Sequence, residues 1–308
     1  MRGVYITAIG GLAAAVTAAN SNITCATGLY ILCARGSGEL TTYPGHPELP
    51  PNTGGFGEIA LAIAKQVNGS IVAGVDYPAT NPVPDNFNLT DPSAIQNLNL
   101  TGYYQSENTG VSSILQNINQ YHSSCPDSKI ALIGYSQGAQ VVEDALCGGT
   151  GGTFNSDAPL SPDLVKQNVV AVAVAGDPTH IANLTIDRGT AVHNGRFPRT
   201  NITVCQQYDD ITASWCDKND VFCDSGDSIT VHESYVGTYA TQIVEFVVEK
   251  YKNASSQSTP TPTPSSSATA TSTSPPTSTT SSSSASVVSS GQSLSLGVAV
   301  LLAVCVLF

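Results

Sequence analysis

Four short apolar runs punctuate the chain, at residues 29–34, 71–76, 130–135 and 169–175. Both parities of each run are apolar, which predicts strands covered on two faces, as in a parallel sheet. Between them, helical spacing of apolar residues predicts helices over 56–68, 110–121 and 140–146. A last helix is expected over 234–251, where Tyr239, Ile243, Phe246, Val247 and Lys250 share one face. Strand and helix alternate. The expected fold class is therefore α/β, a three-layer α/β/α sandwich around a central parallel sheet of about five strands with right-handed crossovers. Residues 78–104 break the rhythm, being proline-rich and polar, and predict an exposed loop bordering the functional site.

The two ends follow other patterns. Met1-Arg2 is basic, residues 4–16 are apolar, and Thr17-Ala18-Ala19 are small, which is the layout of a secretory signal peptide over 1–19. The folded domain is expected over 20–253. From 254 to 286 nearly every residue is Ser, Thr, Pro or Ala, too little apolar surface to offset chain entropy, so this segment reads as an O-glycosylated stalk. Residues 287–308 end in an apolar stretch, 296–308, shorter than the roughly 20 residues that a helix spanning a bilayer needs. Small residues, a polar spacer and this tail resemble a GPI-attachment signal, with Ser284 or Ser290 as the attachment residue. Membrane contact is then expected only through the lipid.

Charge and cysteines narrow the chemistry. A net charge of −12 argues against a nucleic-acid partner, which needs a basic surface. Asn-X-Ser/Thr sequons at Asn22, Asn68, Asn88, Asn99, Asn183, Asn201 and Asn253 predict a glycosylated extracellular surface. Of the eight cysteines, Cys305 lies in the tail. The other seven are an odd number for an oxidising compartment, so one thiol is expected to be free. Cys33, inside the apolar run, suits that role. Spacing does not give the pairing of the remaining six. No Cys-X-X-Cys pair occurs and His232-Glu233 lacks a second histidine four residues on, so no metal or cofactor is expected. Nothing in the chain argues for an oligomer, and a monomer is expected.

The candidate chemistry centres on Gly134-Tyr135-Ser136-Gln137-Gly138, which follows an expected strand and precedes an expected helix. A nucleophilic serine needs this setting: a strained turn that lifts its hydroxyl above the sheet, glycines that let strand and helix approach, and a helix-start N–H aimed at a developing oxyanion. In this architecture an acid and then a histidine follow the serine. His46 and His122 precede it; His180 and His193 follow in loops; His232, between a polar loop and the last helix, is best placed. The acid is Asp220, with Asp217, Asp224 and Asp227 as rivals. A disulfide between Cys216 and Cys223 would fix the Asp220 loop and contribute ~2.5 kcal/mol by loop entropy.

Taken together, Ala34-Arg35-Gly36-Ser37, the Ser136 turn, Gly176-Asp177-Pro178, the segment from Cys216 to Cys223 around Asp220, and His232 resemble the fungal cutinase and acetylxylan esterase family of carbohydrate esterases, over about residues 25–251. The resemblance implies a small α/β-hydrolase without a large lid, and a triad of Ser136, Asp220 and His232. It implies an oxyanion hole from Ser37 and Gln137, and disulfides Cys25–Cys125, Cys147–Cys205 and Cys216–Cys223 with Cys33 free. Its substrates would be esters on plant cell-wall polymers, acetylated xylan or cutin. Ala145-Leu146-Cys147-Gly148-Gly149, Gly176-Asp177-Pro178 and the Asp220–His232 gap are more similar to acetylxylan esterases; Ala34-Arg35-Gly36-Ser37 is more similar to cutinases. Residues 78–104 lack a cysteine pair that some acetylxylan esterases carry there, and hold sequons instead. The expected activity is deacetylation of xylan, with cutinase action or a non-catalytic wall-anchored protein as alternatives.

Overall fold

The structure is a computed structural model and describes residues 23–83, 98, 100–154 and 158–257. The signal peptide, residues 258–286 of the expected stalk and the anchor signal lie outside these residues, as do Asn22, Asn88 and Asn99.

The chain builds β1 (Leu29–Ala34), α1 (Phe56–Gln66), β2 (Ile71–Gly74), α2 (Leu100–Ser124), β3 (Lys129–Tyr135), α3 (Gln137–Cys147), α4 (Pro162–Asn168), β4 (Val169–Ala175), β5 (Asp187–Gly189), β6 (Thr212–Cys216), α5 (Ile229–His232) and α6 (Tyr235–Gln257). A 3-10 turn spans Cys205–Ile211. The strands form one sheet in the order β2-β1-β3-β4-β6-β5, and every pairing is parallel.

Alternate residues of β1, β3 and β4 feed two cores, which is why both parities of those runs are apolar. Tyr30, Leu32, Ile130, Leu132, Val172 and Val174 pack with Ile114 and Ile118 of α2 and Val141, Val142 and Ala145 of α3. Leu29, Ile31, Ala131, Ile133, Ala171 and Ala173 pack with Ile59 and Ile63 of α1 and Ile243 and Val247 of α6. The result is a three-layer α/β/α sandwich.

Among the described residues six strands form the sheet, against about five expected. β5 has three residues, two of them exposed, and β6 is the mixed sequence Thr-Ala-Ser-Trp-Cys, so neither shows an apolar run. Helix α2 starts at Leu100, inside the stretch expected to be loop, and α6 continues to Gln257, past the expected domain end at 253.

Cysteine pairs Cys25–Cys125, Cys147–Cys205 and Cys216–Cys223 staple the domain, and Cys33 is free and buried. Its thiol sits 3.1 Å from the Thr53 carbonyl oxygen. Burial pushes that thiol well above its ordinary value, so it stays protonated and packs as a small apolar group. Among the described residues no helix is long and apolar enough to cross a membrane.

Candidate active site

All six strands run the same way, so their C-terminal ends meet along one rim, where loops converge. Ser136 stands at the end of the central strand β3, with φ 54° and ψ −120°. This is a left-handed backbone for a non-glycine residue, of the strained kind that functional sites hold in place. Two features fix it. The Ser136 N–H donates to the Ala175 carbonyl of β4 at 2.9 Å, extending the ladder past the strand end. The flanking glycines allow close crossing: a methyl at Gly134 would strike the Gly138 carbonyl, and one at Gly138 would strike the Ala34 carbonyl. Gln137 then opens α3, and as the first helical residue its N–H has no acceptor within the helix.

Among the histidines, the structure brings His232 to the serine. Its Nε2 lies 2.9 Å from Ser136 Oγ. His46 pairs with Glu48 on the surface, His180 lies 3.8 Å from Asp187, His193 is exposed beside Asp224, and His122 belongs to α2. His232 closes the one-turn helix α5, its backbone carbonyl accepts from Tyr135 Oη at 2.8 Å, and Phe222 packs edge-on against its ring. The ring is thereby held in a buried slot.

On the far side of the ring, His232 Nδ1 meets Asp220 at 2.9 Å to Oδ2 and 3.1 Å to Oδ1. Asp220 is fully buried. The N–H groups of Phe222 and Cys223 donate to Oδ1 at 2.7 and 2.9 Å, and Tyr235 Oη donates to Oδ2 at 2.8 Å. Burial acts to raise this carboxyl, but His232 and the two backbone N–H groups outweigh it and hold Asp220 below its ordinary value. The anion persists at neutral pH.

The rival acids serve the loops. Asp217 accepts from Tyr239 and Thr190, Asp224 from the N–H groups of Val192, His193 and Asn219, and Asp227 from Asn219. None of them has a hydrogen bond to His232.

Ser37 lies in the turn after β1. Its neighbour Gly36 packs against the elbow, where a methyl would come 3.3 Å from Ser136 Cβ. This turn is braced from below. Glu39 accepts the N–H of Gly36 at 2.5 Å and of Gly55 at 2.8 Å, and Gly38 N–H donates to the Ala79 carbonyl at 2.7 Å. Buried Arg35 reaches the carbonyls of Glu39, Val75 and Tyr77. Gln137 is fixed through its side chain, which accepts from Ser106 at 3.1 Å.

A second polar group lies next to this site and was not apparent from the sequence. Glu143 and Asp144 of α3 are buried with Asp177 and Arg199, and Arg199 pairs with Asp144. Burial and then the neighbouring Asp177 charge push Glu143 up to about 8. The two carboxyls therefore share a proton at neutral pH. Asp177 adjoins Gly176, where a methyl would come 2.9 Å from Cε1 of His232.

The linkage has a definite sign. The folded state holds the Glu143 proton more tightly than the unfolded chain, so its stabilising effect is complete below about pH 4.5 and disappears as pH rises through about 8. Glu143→Gln keeps a neutral donor at every pH. Its melting temperature is expected to fall less steeply than the parent's between pH 6 and 9, and parallel curves from thermal melts would contradict the shared proton.

Known proteins resemble this chain in sequence and in fold. The family model described as "Cutinase" matches residues 25–251. An acetylxylan esterase of Hypocrea jecorina is 36% identical over 158 residues, which are 50% of this chain and 52% of that protein. Cutinase 11 of Verticillium dahliae is 28% identical over 72% of this chain and 69% of its own length. The solved catalytic core domain of acetyl xylan esterase from Trichoderma reesei superposes with a TM-score of 0.59 at 28% identity, covering 74% of this chain and all of that one.

Proposed function

The chain belongs to the cutinase family of carboxylic ester hydrolases, and we propose that it is a serine esterase that removes acetyl groups from xylan. The observation that carries this reading is the row Ser136 Oγ–His232 Nε2–Nδ1–Asp220 Oδ2, hydrogen-bonded at 2.9 Å at both links. In the proposed reaction His232 takes the Ser136 proton as the hydroxyl oxygen attacks the ester carbonyl. The tetrahedral oxyanion is held by the Gln137 N–H and by Ser37. Collapse breaks the bond to the alcohol, which leaves with the proton from His232. Water then cleaves the acyl-enzyme with the same base, returning acetate and free enzyme. Asp220 holds the imidazole tautomer and offsets its positive charge throughout.

The acetyl preference rests on the similarity to acetylxylan esterases in sequence and in structure. Long-chain or cutin esters are the second reading, favoured by Ala34-Arg35-Gly36-Ser37 and the similarity to cutinase 11. A series of p-nitrophenyl esters, with acetylated xylan and cutin as polymers, separates them. The acetyl ester is expected to have the highest kcat/KM, declining from four carbons upward. A maximum at four carbons or longer would assign the cutinase reading, and folded protein inert towards every ester would assign a non-catalytic wall protein.

The proposed setting is outside the cell, as a monomer tethered through a lipid at the end of the stalk. Sequon residues Asn68, Asn183, Asn201 and Asn253 are all exposed, as glycan attachment requires. Release of the native protein from membranes by a phosphatidylinositol-specific phospholipase checks the anchor.

A further inference from the structure

Tyr235 opens α6 three residues after His232 and is fully buried. Its hydroxyl lies 2.8 Å from the Asp217 backbone nitrogen and 2.8 Å from Asp220 Oδ2. A phenol has one proton, and the oxygen is already taken as an acceptor by the Asp217 N–H, so the proton goes to the carboxylate. Oδ2 is thus shared between Tyr235 and His232, while Oδ1 holds the N–H groups of Phe222 and Cys223.

We propose that Tyr235 is a positioning residue for ester hydrolysis: its hydroxyl locks the plane of the Asp220 carboxylate and draws off part of its charge, setting how tightly His232 holds a proton. This inference rests on the triad reading above. The hydroxyl is the third fixed donor on the anion besides the imidazole, and it comes from a different element than the loop N–H groups, so it ties the acid to the helix that follows the base. Cooperative donation strengthens it, because the Asp217 N–H polarises the phenol towards Asp220. Burial, and next the Asp220 charge, push the phenol far above its ordinary range, so it remains a donor wherever the esterase works.

The fold supplies a comparison one turn along. Tyr239 stacks on Tyr235 with ring centres 6.1 Å apart, and its hydroxyl donates to the Asp217 carboxylate at 2.8 Å. It braces the same disulfide-closed loop without touching Asp220. The other titratable groups facing this spot are Asp217 in the loop, Tyr135 of β3 on the His232 carbonyl, and exposed Glu233 beside the histidine.

The test measures kcat, KM and the pH profile on p-nitrophenyl acetate, with thermal melts, for the parent, Tyr235→Phe, Tyr239→Phe and Ser136→Ala. Tyr235→Phe is expected to lower kcat about tenfold at unchanged KM, less than loss of the carboxylate itself. It should also move the acid limb of kcat/KM upward by a few tenths of a pH unit, because a carboxylate with one donor fewer stabilises the imidazolium more. Tyr239→Phe should leave that limb in place. A fluorinated tyrosine incorporated at 235 keeps the ring and donates more strongly; it should move the limb downward, and it decides the question if the phenylalanine variant does not fold. A parent-like kcat and acid limb in Tyr235→Phe, or an unmoved limb with the fluorinated residue, overturns the role while an inert Ser136→Ala leaves the triad standing. An active Ser136→Ala overturns both.

Discussion

Ser136→Ala is expected to reduce turnover of p-nitrophenyl acetate by about 10⁶-fold in kcat, the scale seen when a triad serine is removed from a hydrolase. That corresponds to about 8 kcal/mol of lost transition-state stabilisation. The size follows from what remains. Without Oγ no acyl-enzyme forms, and the Gln137 and Ser37 donors have only the direct attack of water to assist. The variant should fold normally, since it removes a single hydroxyl whose partner is the His232 ring and leaves the backbone bond from Ser136 to Ala175 in place. Alanine occupies the left-handed backbone at φ 54° with much the same strain as serine, so the turn is retained. Turnover and a thermal melt on one preparation make the measurement clean. Activity within a hundredfold of the parent, in protein with an unchanged melt, would mean that another group attacks the ester.

The serine and histidine were legible because each carries a local signal. A glycine-flanked serine between an apolar strand and a helix is a pattern with a physical cause, and the structure displays that cause in the collisions a side chain at Gly134 or Gly138 would make. The acid was less legible. Asp217, Asp220, Asp224 and Asp227 share one short polar loop, and spacing does not say which of them turns inward. Asp220 and Asp224 are both buried and both gather backbone N–H groups; what separates them is that His232 and Tyr235, from beyond the loop, meet Asp220 alone of the two. Tyr235 was not visible as a polar partner because at helical spacing it reads as one more core aromatic. Glu143 and Asp144 would read as a solvated helix face; they are buried because Arg199, distant in sequence, folds back on them. The fold shows the same division. Strands buried on both faces were readable from composition, whereas the edge strand β5 is held by its pairing with β6 and carries no apolar run.

Asp220→Asn is expected to lower kcat at neutral pH by about 10⁴-fold while the protein stays folded. The carboxylate accepts on both oxygens, from Phe222 and Cys223 on one and from Tyr235 and His232 on the other. An amide matches only one side. With its oxygen on the backbone N–H groups, its NH₂ faces the imidazole and donates to Nδ1, which drives the ring proton to Nε2. That nitrogen then points a hydrogen at Ser136 and has no lone pair to take the serine proton. The turned amide would leave two buried N–H groups unpaired, so the inactive tautomer is the favoured one. The rival acids predict a different outcome. Asp217→Asn and Asp224→Asn each turn one carboxylate oxygen into a donating NH₂ and discharge the other, weakening the acceptor sets that hold Tyr239, Thr190 and three loop N–H groups, and should lower the melting temperature while leaving kcat within about tenfold of the parent. Kinetics and melts on the three variants together assign the acid. If Asp217→Asn or Asp224→Asn were the one that crippled catalysis in folded protein, Asp220 would be a loop anchor, and its tight set of donors would serve the disulfide-closed loop rather than the imidazole.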